Sequence, residues 1–387
     1  MKDFVFKMLT KVNFGIGAAK RVGEECKALG ATKVFFVTDK FMQEHSPAYP
    51  MIMDSLKNAG LEVLVFSDVE PDPSVETVDK GAQMMKDFGA EVAVALGGGS
   101  PMDCAKTMSM LQTNEGSIRE YIHKRKLITK PAKPLICIPT TAGTGSEVTA
   151  AAVTTDRQSQ EKLGLADDSL MPRMALIDPE LHVGMPPGLT ASTGLDALCH
   201  AIEAYVAVAS EPFTDALAIY AIKMIGQNLT KAVANGRDIE ARSNMAIAST
   251  VAGGAFSNAS LGLVHGIAHC LGAMYHVPHG TANALMLPYV MEFNAMAAPE
   301  KFREIAIALG ADVSGMNLRD AALEASRRVS QMCADCGVPL TLKEVGVKRE
   351  DVSTIVKNTI TYARLPNNPR TVSEKDIEKI LLTALEK

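Results

Sequence analysis

Eight histidines occur in the 387 residues, and five of them fall between positions 200 and 279. In TGLDALCHAIEAY, Asp196 and His200 stand four residues apart in a run of helical periodicity, so both side chains leave one helix face a turn apart. A second segment, LVHGIAHCLGAMYHVPHG, carries His265, His269, His276 and His279. An Asp-x-x-x-His pair alone is more often an ordinary hydrogen-bonded pair than a ligand pair. A run this apolar, however, rarely carries four imidazoles for packing, because every buried ring must find partners for its nitrogens. Three imidazoles and one carboxylate suit Fe(II), Zn(II), Mn(II) or Co(II) and leave room for a substrate oxygen. His265 and His269 have the i, i+4 spacing of a metalloprotease pair, but the general-base glutamate of H-E-x-x-H is absent, since Gly266 follows His265. Spacing does not choose between His269 and His279 as the last ligand.

A second chemistry is carried by AVALGGGSPMDCAK, residues 93–106. An apolar strand runs into Gly97, Gly98 and Gly99, and the pattern predicts Ser100 as helix N-cap, Pro101 at the first helical position and Asp103 at the third. Glycines let a backbone approach a pyrophosphate, and a helix N-terminus offers free N–H groups and a favourable dipole. A plain strand-to-helix turn would look the same. GIGAAK (15–20) is a decoy: Lys20 replaces the last glycine of G-x-G-x-x-G, and no first strand of a βαβ unit is read before it. Asp39 ends the run KVFFVTD, where a carboxylate could take ribose hydroxyls and would repel a 2′-phosphate, favouring NAD over NADP; a helix N-cap is the equal alternative. TTAGTGSE (140–147) sets Thr140, Thr141, Thr144 and Ser146 among glycines after a strand, as nucleotide-lining donors or as a flexible turn.

The elements that must position these residues change character along the chain. KVFFVTD (33–39), EVLVFSD (62–68), EVAVALG (91–97), PLICIPT (134–140) and MALIDP (174–179) read as strands separated by helical patterns, which implies a parallel sheet; VTAAAVTTD (148–156) with KLGLAD (162–167) reads as an extra β excursion. After GMPPGLT (184–190) strand signals nearly vanish, which predicts an α/β domain over 1–184 and an all-helical domain over 185–387. Composition, with 47% apolar and 21% charged residues, is that of a folded protein. A net charge of -5 supplies no basic footprint for nucleic acid or an anionic membrane. The N-terminus lacks a signal-peptide core and no stretch reaches membrane-spanning length, so a cytoplasmic protein is expected. Seven unframed cysteines fit a reducing compartment, and Cys333-x-x-Cys336 is read as a pair of half-buried helix thiols.

GGGSPMDCAK, PTTAGTGSEVT, DPELHVGMPP, TGLDALCHAIEAY and the H-x3-H-x9-H stretch, in that order over essentially the full length, resemble the iron-containing (group III) alcohol dehydrogenase family, close in type to bacterial propanediol, lactaldehyde and methanol dehydrogenases. The resemblance implies a dehydroquinate synthase-like architecture, with a Rossmann-like N-terminal domain, an all-α C-terminal domain and NAD in the cleft between them. It implies metal ligands Asp196, His200, His265 and His279, with His269 near the nicotinamide and a candidate proton relay. Cofactor contacts implied by position are Asp39, Gly98, Gly99, Ser100, Asp103, Thr140, Thr141 and Thr144, with Lys162 over the cofactor. The expected reaction passes a hydride between a small primary alcohol or diol and NAD(H), the alcohol oxygen meeting Fe(II), or Zn(II), in a homo-oligomeric enzyme. Two segments depart from the family pattern: AFSNASLGLVHG, with Ser257 and Leu261, and YARLPNNPR (362–370), and both bear on the substrate. The rivals are a glycerol dehydrogenase, a dehydroquinate synthase-like lyase and a nucleotide-binding sensor without catalysis.

Overall fold

Strands β1 (Lys11–Phe14), β2 (Lys33–Val37), β3 (Glu62–Phe66), β4 (Val92–Gly97), β5 (Leu135–Pro139) and β8 (Met174–Ile177) form one parallel sheet in the order β1-β8-β5-β4-β2-β3. The central strands are buried along their length and the edge strands β1 and β3 are not, as a parallel sheet covered on both faces requires. Side chains alternate between the faces with period two. Phe35, Val37, Ala93 and Ala95 pack with α4 (Val75–Phe88), α5 (Gly99–Leu111) and α6 (Ile118–Ile122); Val34, Phe36, Val94 and Leu96 pack with α1 (Val22–Ala28) and α3 (Ala48–Asn58). The short α2 (Lys40–His45) follows β2 directly. A separate hairpin pairs β6 (Ala151–Asp156) antiparallel with β7 (Glu161–Ala166).

β1 was not legible in the sequence. KVNF is four residues long and mostly exposed, so it carries no apolar run. Its presence corrects the reading of GIGAAK, which does follow a strand of the sheet, although an edge one leading to α1.

These elements belong to one compact unit, Met8–Thr141 with Gly145–His182; the other takes the chain from Val183 onward, Ala142–Thr144 and the N-terminal residues up to Lys7. The computed structural model describes residues 3–159 and 161–386. The second unit is helical: α7 (Pro187–Val206), α8 (Pro212–Ala234), α9 (Ile239–Ala259), α10 (Leu263–Tyr275), α11 (His279–Asn294), α12 (Pro299–Ala308), α13 (Leu318–Asp335), α14 (Val352–Ile360) and α15 (Glu374–Glu386). α7 is its centre. Every residue from Gly194 to Val206 is buried, so this helix is apolar all round except for a few ionisable side chains. No single described helix is long and apolar enough to cross a membrane; α9 and α10 reach that length only together, across a 105° bend.

Candidate active site

The sheet unit supplies a ligand-binding edge by its topology. From β2 the chain steps to β3 on one side, then returns to β4 on the other, so the strand order reverses between β2 and β4. Ligands of open α/β sheets bind outside the carboxyl ends of strands at such a point. Asp39 follows β2, the glycine turn ends β4, and Thr140 and Thr141 follow β5. Thr38 Oγ1 donates to Leu96 O at 2.9 Å, and the Thr140 N–H donates to Gly97 O at 3.0 Å, tying the three ends together.

The helix after β4 begins two residues earlier than the sequence pattern indicates. Gly98, extended at φ -81° and ψ -157°, is the N-cap of α5, so Ser100 is its second residue and Pro101 its third. Ser100 is not the cap. Gly97 makes the early start possible: its φ of +145° suits glycine alone, and a Cβ there would lie 2.7 Å from Pro101 Cγ. The N–H groups of Gly99 and Ser100 therefore stand in the first turn, where the dipole favours a phosphate, and proline at the third position removes a donor that would otherwise need a partner. Thr141 Oγ1 is buried without a hydrogen-bond partner beside Gly98, an orphaned group aimed at this turn.

Other expected contacts are engaged within the protein. Asp39 caps α2, its Oδ1 accepting from the Met42 N–H at 2.8 Å. Asp103 accepts from Ser146 Oγ at 2.6 Å and from the Val153 N–H at 2.9 Å, and Lys106, fully buried, lies 3.8 Å away. Burial pushes the Asp103 carboxyl up and the Lys106 ammonium down, each opposed by the other's charge. Lys162, on β7, is paired with Asp72. Thr144 is half-buried and belongs to the helical unit.

Asp196, His200, His265 and His279 come together in that unit, each offering a ligand atom within 4.8 Å of the others. α7 supplies Asp196 and His200 one turn apart, with His200 Nε2 3.9 Å from Asp196 Oδ1. α10 supplies His265. His276 then takes a left-handed conformation (φ 55°) as its C-cap, Pro278 caps the next helix, and His279 is the first residue of α11, its Nε2 3.8 Å from Asp196 Oδ1. Gly280 is what lets α11 lie so close to α7, since a Cβ would meet Ser192 O at 2.3 Å. Rings reinforce the arrangement: Phe256 stacks on His200 at 4.3 Å and His200 on His265 at 4.9 Å.

The donor set fits a divalent cation. Asn283 Nδ2 donates to Asp196 Oδ1 at 2.7 Å and lies 3.1 Å and 3.2 Å from Nε2 of His265 and of His279, so a neutral N–H donor sits where three ligand atoms converge. Asn283 Oδ1 is buried without a partner. Burial raises the Asp196 carboxyl, but facing His200, His279 and His265, with the Asn283 amide, hold it below its ordinary range. Burial drives His265 well below the usual histidine range, aided by His200, which favours the neutral imidazole that a metal binds. His269 is not one of the four convergent donors; its ring centroid is 6.3 Å from that of His265, 5.5 Å from that of His279 and 5.3 Å from that of Tyr362, to whose ring it lies nearly perpendicular.

Sequence reasoning missed Glu203, Asn283 and Tyr362. Glu203, three residues beyond His200 on α7, places Oε2 2.6 Å from His265 Nδ1; burial pushes its carboxyl up to about 7, and N–H groups of Gly262 and Val264 pull it back. An acidic residue in so apolar a helix was a visible signal. Asn283, at i+4 from His279, carried none beyond its spacing. The thiols of Cys333 and Cys336 are buried, one in the last turn of α13 and one at its C-cap.

Residues 10–179 match the family described as iron-containing alcohol dehydrogenase, and residues 190–385 match the Fe-containing alcohol dehydrogenase family, C-terminal. The chain is 42% identical over 372 residues to the NAD-dependent methanol dehydrogenase of Bacillus methanolicus, covering 96% of this chain and 97% of the relative. It is 41% identical over 379 residues to the 1,3-propanediol dehydrogenase of Citrobacter freundii, covering 97% and 98%. A crystal structure of 1,3-propanediol oxidoreductase superposes with a TM-score of 0.96 at 38% identity, over 99% of this chain and all of that one.

Proposed function

We propose, from the premise that this chain belongs to the iron-containing alcohol dehydrogenase family, that it interconverts a small primary alcohol or diol and the corresponding aldehyde. It is an NAD-dependent, metal-dependent oxidoreductase. The observation that carries the reading of the site is the convergence of Asp196, His200, His265 and His279 around a point already taken by a hydrogen-bond donor. When bound, a divalent cation would supply Lewis acidity toward the substrate oxygen and NAD would supply the hydride acceptor.

The chain's own residues do the rest. We assign Asp196, His200, His265 and His279 as the residues that would hold the metal. Iron is the metal the family name carries, and Zn(II) takes the same donors with higher intrinsic affinity. His269 we assign to carrying the hydroxyl proton outward, with Tyr362 fixing its ring. The N–H groups of Gly99 and Ser100 would hold the pyrophosphate past the open backbone of Gly98, with Thr140 and Thr141 lining it, Asp39 would take the ribose hydroxyls, and Lys162 would lie over the nucleotide. Asp103 acts from within, bracing α5 against Ser146 and β6.

We further infer a cytoplasmic homo-oligomer. Seven free, buried thiols suit a reducing compartment, and edge strand β1 leaves Val12 and Phe14 exposed, an apolar edge that a second copy would cover.

The test is anaerobic purification, metal analysis and NADH formation from ethanol, propanol, butanol and the propanediols, with and without added Fe(II) or Zn(II). Turnover should track bound metal. His265→Ala should lose metal and activity together, whereas His269→Ala should keep the metal and lose turnover. A fully active, metal-free His265→Ala enzyme would sink the assignment.

A further inference from the structure

Glu203 lies in the buried stretch of α7, where a carboxylate is destabilised unless hydrogen bonds replace its hydration. Its two oxygens do separate things. Oε1 accepts the Val264 N–H at 2.7 Å. Val264 is the second residue of α10, and the N-cap of that helix, Gly262, has no side chain to satisfy the free N–H groups of the first turn. Oε2 lies 2.6 Å from Nδ1 of His265, within hydrogen-bond distance. Capping α10 needs only the first contact.

The second contact governs the other nitrogen of the ring. A neutral imidazole holds one proton, and a carboxylate against Nδ1 keeps it there, which leaves the lone pair on Nε2. Nε2 faces the point shared with Asp196 and His279, 3.1 Å from the Asn283 amide that reaches both. The Cys199 sulfur, 3.8 Å from the same Nδ1, is too weak an acceptor to set the tautomer. His200 has a neutral counterpart, since its Nδ1 lies 3.2 Å from Gly143 O. Behind His265, in contrast to the carbonyl behind His200, the group on the far side of the ring can carry full negative charge.

The geometry points to Glu203 as a positioning residue for metal binding: it holds His265 in the Nδ1–H tautomer and in one ring orientation, so that Nε2 is a ready ligand. This rests on the assignment of His265 as a ligand. It adds that α7 provides both ligands, Asp196 and His200, and the group that prepares a third on α10.

Glu203→Gln separates this role from capping. The amide keeps an oxygen for the Val264 N–H but turns its NH2 toward His265 Nδ1. That nitrogen must then accept, so the ring proton moves to Nε2 and blocks the ligand. Full-length protein stripped by chelator is titrated with Co(II), comparing the parent with Glu203→Gln and His265→Ala by affinity and by the visible d–d spectrum. We expect Glu203→Gln to bind Co(II) about 10- to 100-fold more weakly, with an altered spectrum and parental far-UV circular dichroism. Parental affinity and spectrum in Glu203→Gln, together with loss of Co(II) by His265→Ala, overturn the positioning role and leave the ligand assignment standing. Parental Co(II) binding by His265→Ala overturns the ligand assignment and this inference with it. Should Glu203→Gln not fold, histidine-selective nitrogen NMR of the stripped parent decides: an Nδ1–H proton on His265 supports the role, and an Nε2–H proton overturns it.

Discussion

Asp39→Asn tests the cofactor side without disturbing its scaffold. Asp39 does one thing visibly, capping α2 through Oδ1 at 2.8 Å from the Met42 N–H, and asparagine caps as well as aspartate. The substitution therefore removes the charge and keeps the side-chain cap, which Asp39→Gly would lose. If the carboxylate also meets the adenosine ribose, a 2′-phosphate would stand about 5 Å from it with a charge of about -1.5; at an effective dielectric of about 40 for a half-exposed site the repulsion is about 2.5 kcal/mol. Salt screening lowers this to about 2 kcal/mol, a shift of about 30-fold in preference. The assay is kcat/KM with NADH and with NADPH, using one aldehyde at fixed ionic strength. NADPH should gain relative to NADH by about 10- to 50-fold, more at low salt than at high salt, with the melting temperature nearly unchanged. A cofactor ratio that stays put while the protein remains folded would refute the ribose assignment and leave Asp39 as a cap alone.

Two other substitutions probe the scaffold of the helical unit. Gly280→Ala places a Cβ against the backbone of α7 at Ser192, so the first turn of α11 must move out and take His279 with it; metal retained after dialysis should fall sharply and urea stability by about 1–3 kcal/mol, and parental metal content would show that the two helices can slip apart harmlessly. Arg242→Leu removes a buried guanidinium that donates to Gly236 O, Thr190 Oγ1 and Met185 O, taking that donor from Gly236 O and Thr190 Oγ1 and leaving Met185 O only the 3.4 Å contact from Thr190 Oγ1; urea unfolding should report a loss of about 3 kcal/mol, and a loss near zero would mean that water satisfies them.

The parallel sheet was readable because its strands are buried on both faces and spell unbroken apolar runs, as KVFFV and LICIP do. β1 was not, because an exposed edge strand of four residues has no such run. Asp196 and His200 could be placed on one face because helical periodicity holds within a single helix. Glu203 was within reach of the same reasoning, for it shares that helix. The start of α5 was misplaced because Ser-Pro is a strong capping pattern, and the backbone freedom of Gly97 and Gly98 overrode it.

By itself, then, the sequence determined the classes of element, the glycine turn before α5, the paired residues on α7 and a pool of histidines. It could not choose between His269 and His279, and the reason is physical. His265 and His269 share α10, so spacing relates them, but His276 turns left-handed and Pro278 starts a new helix, which cuts the periodicity before His279 is reached. Where His279 points depends on how α11 packs on α7 at Gly280, and which nitrogen of His265 carries its proton depends on Glu203 from another helix. Local pattern sets what each helix can offer; packing between helices decides which side chains meet.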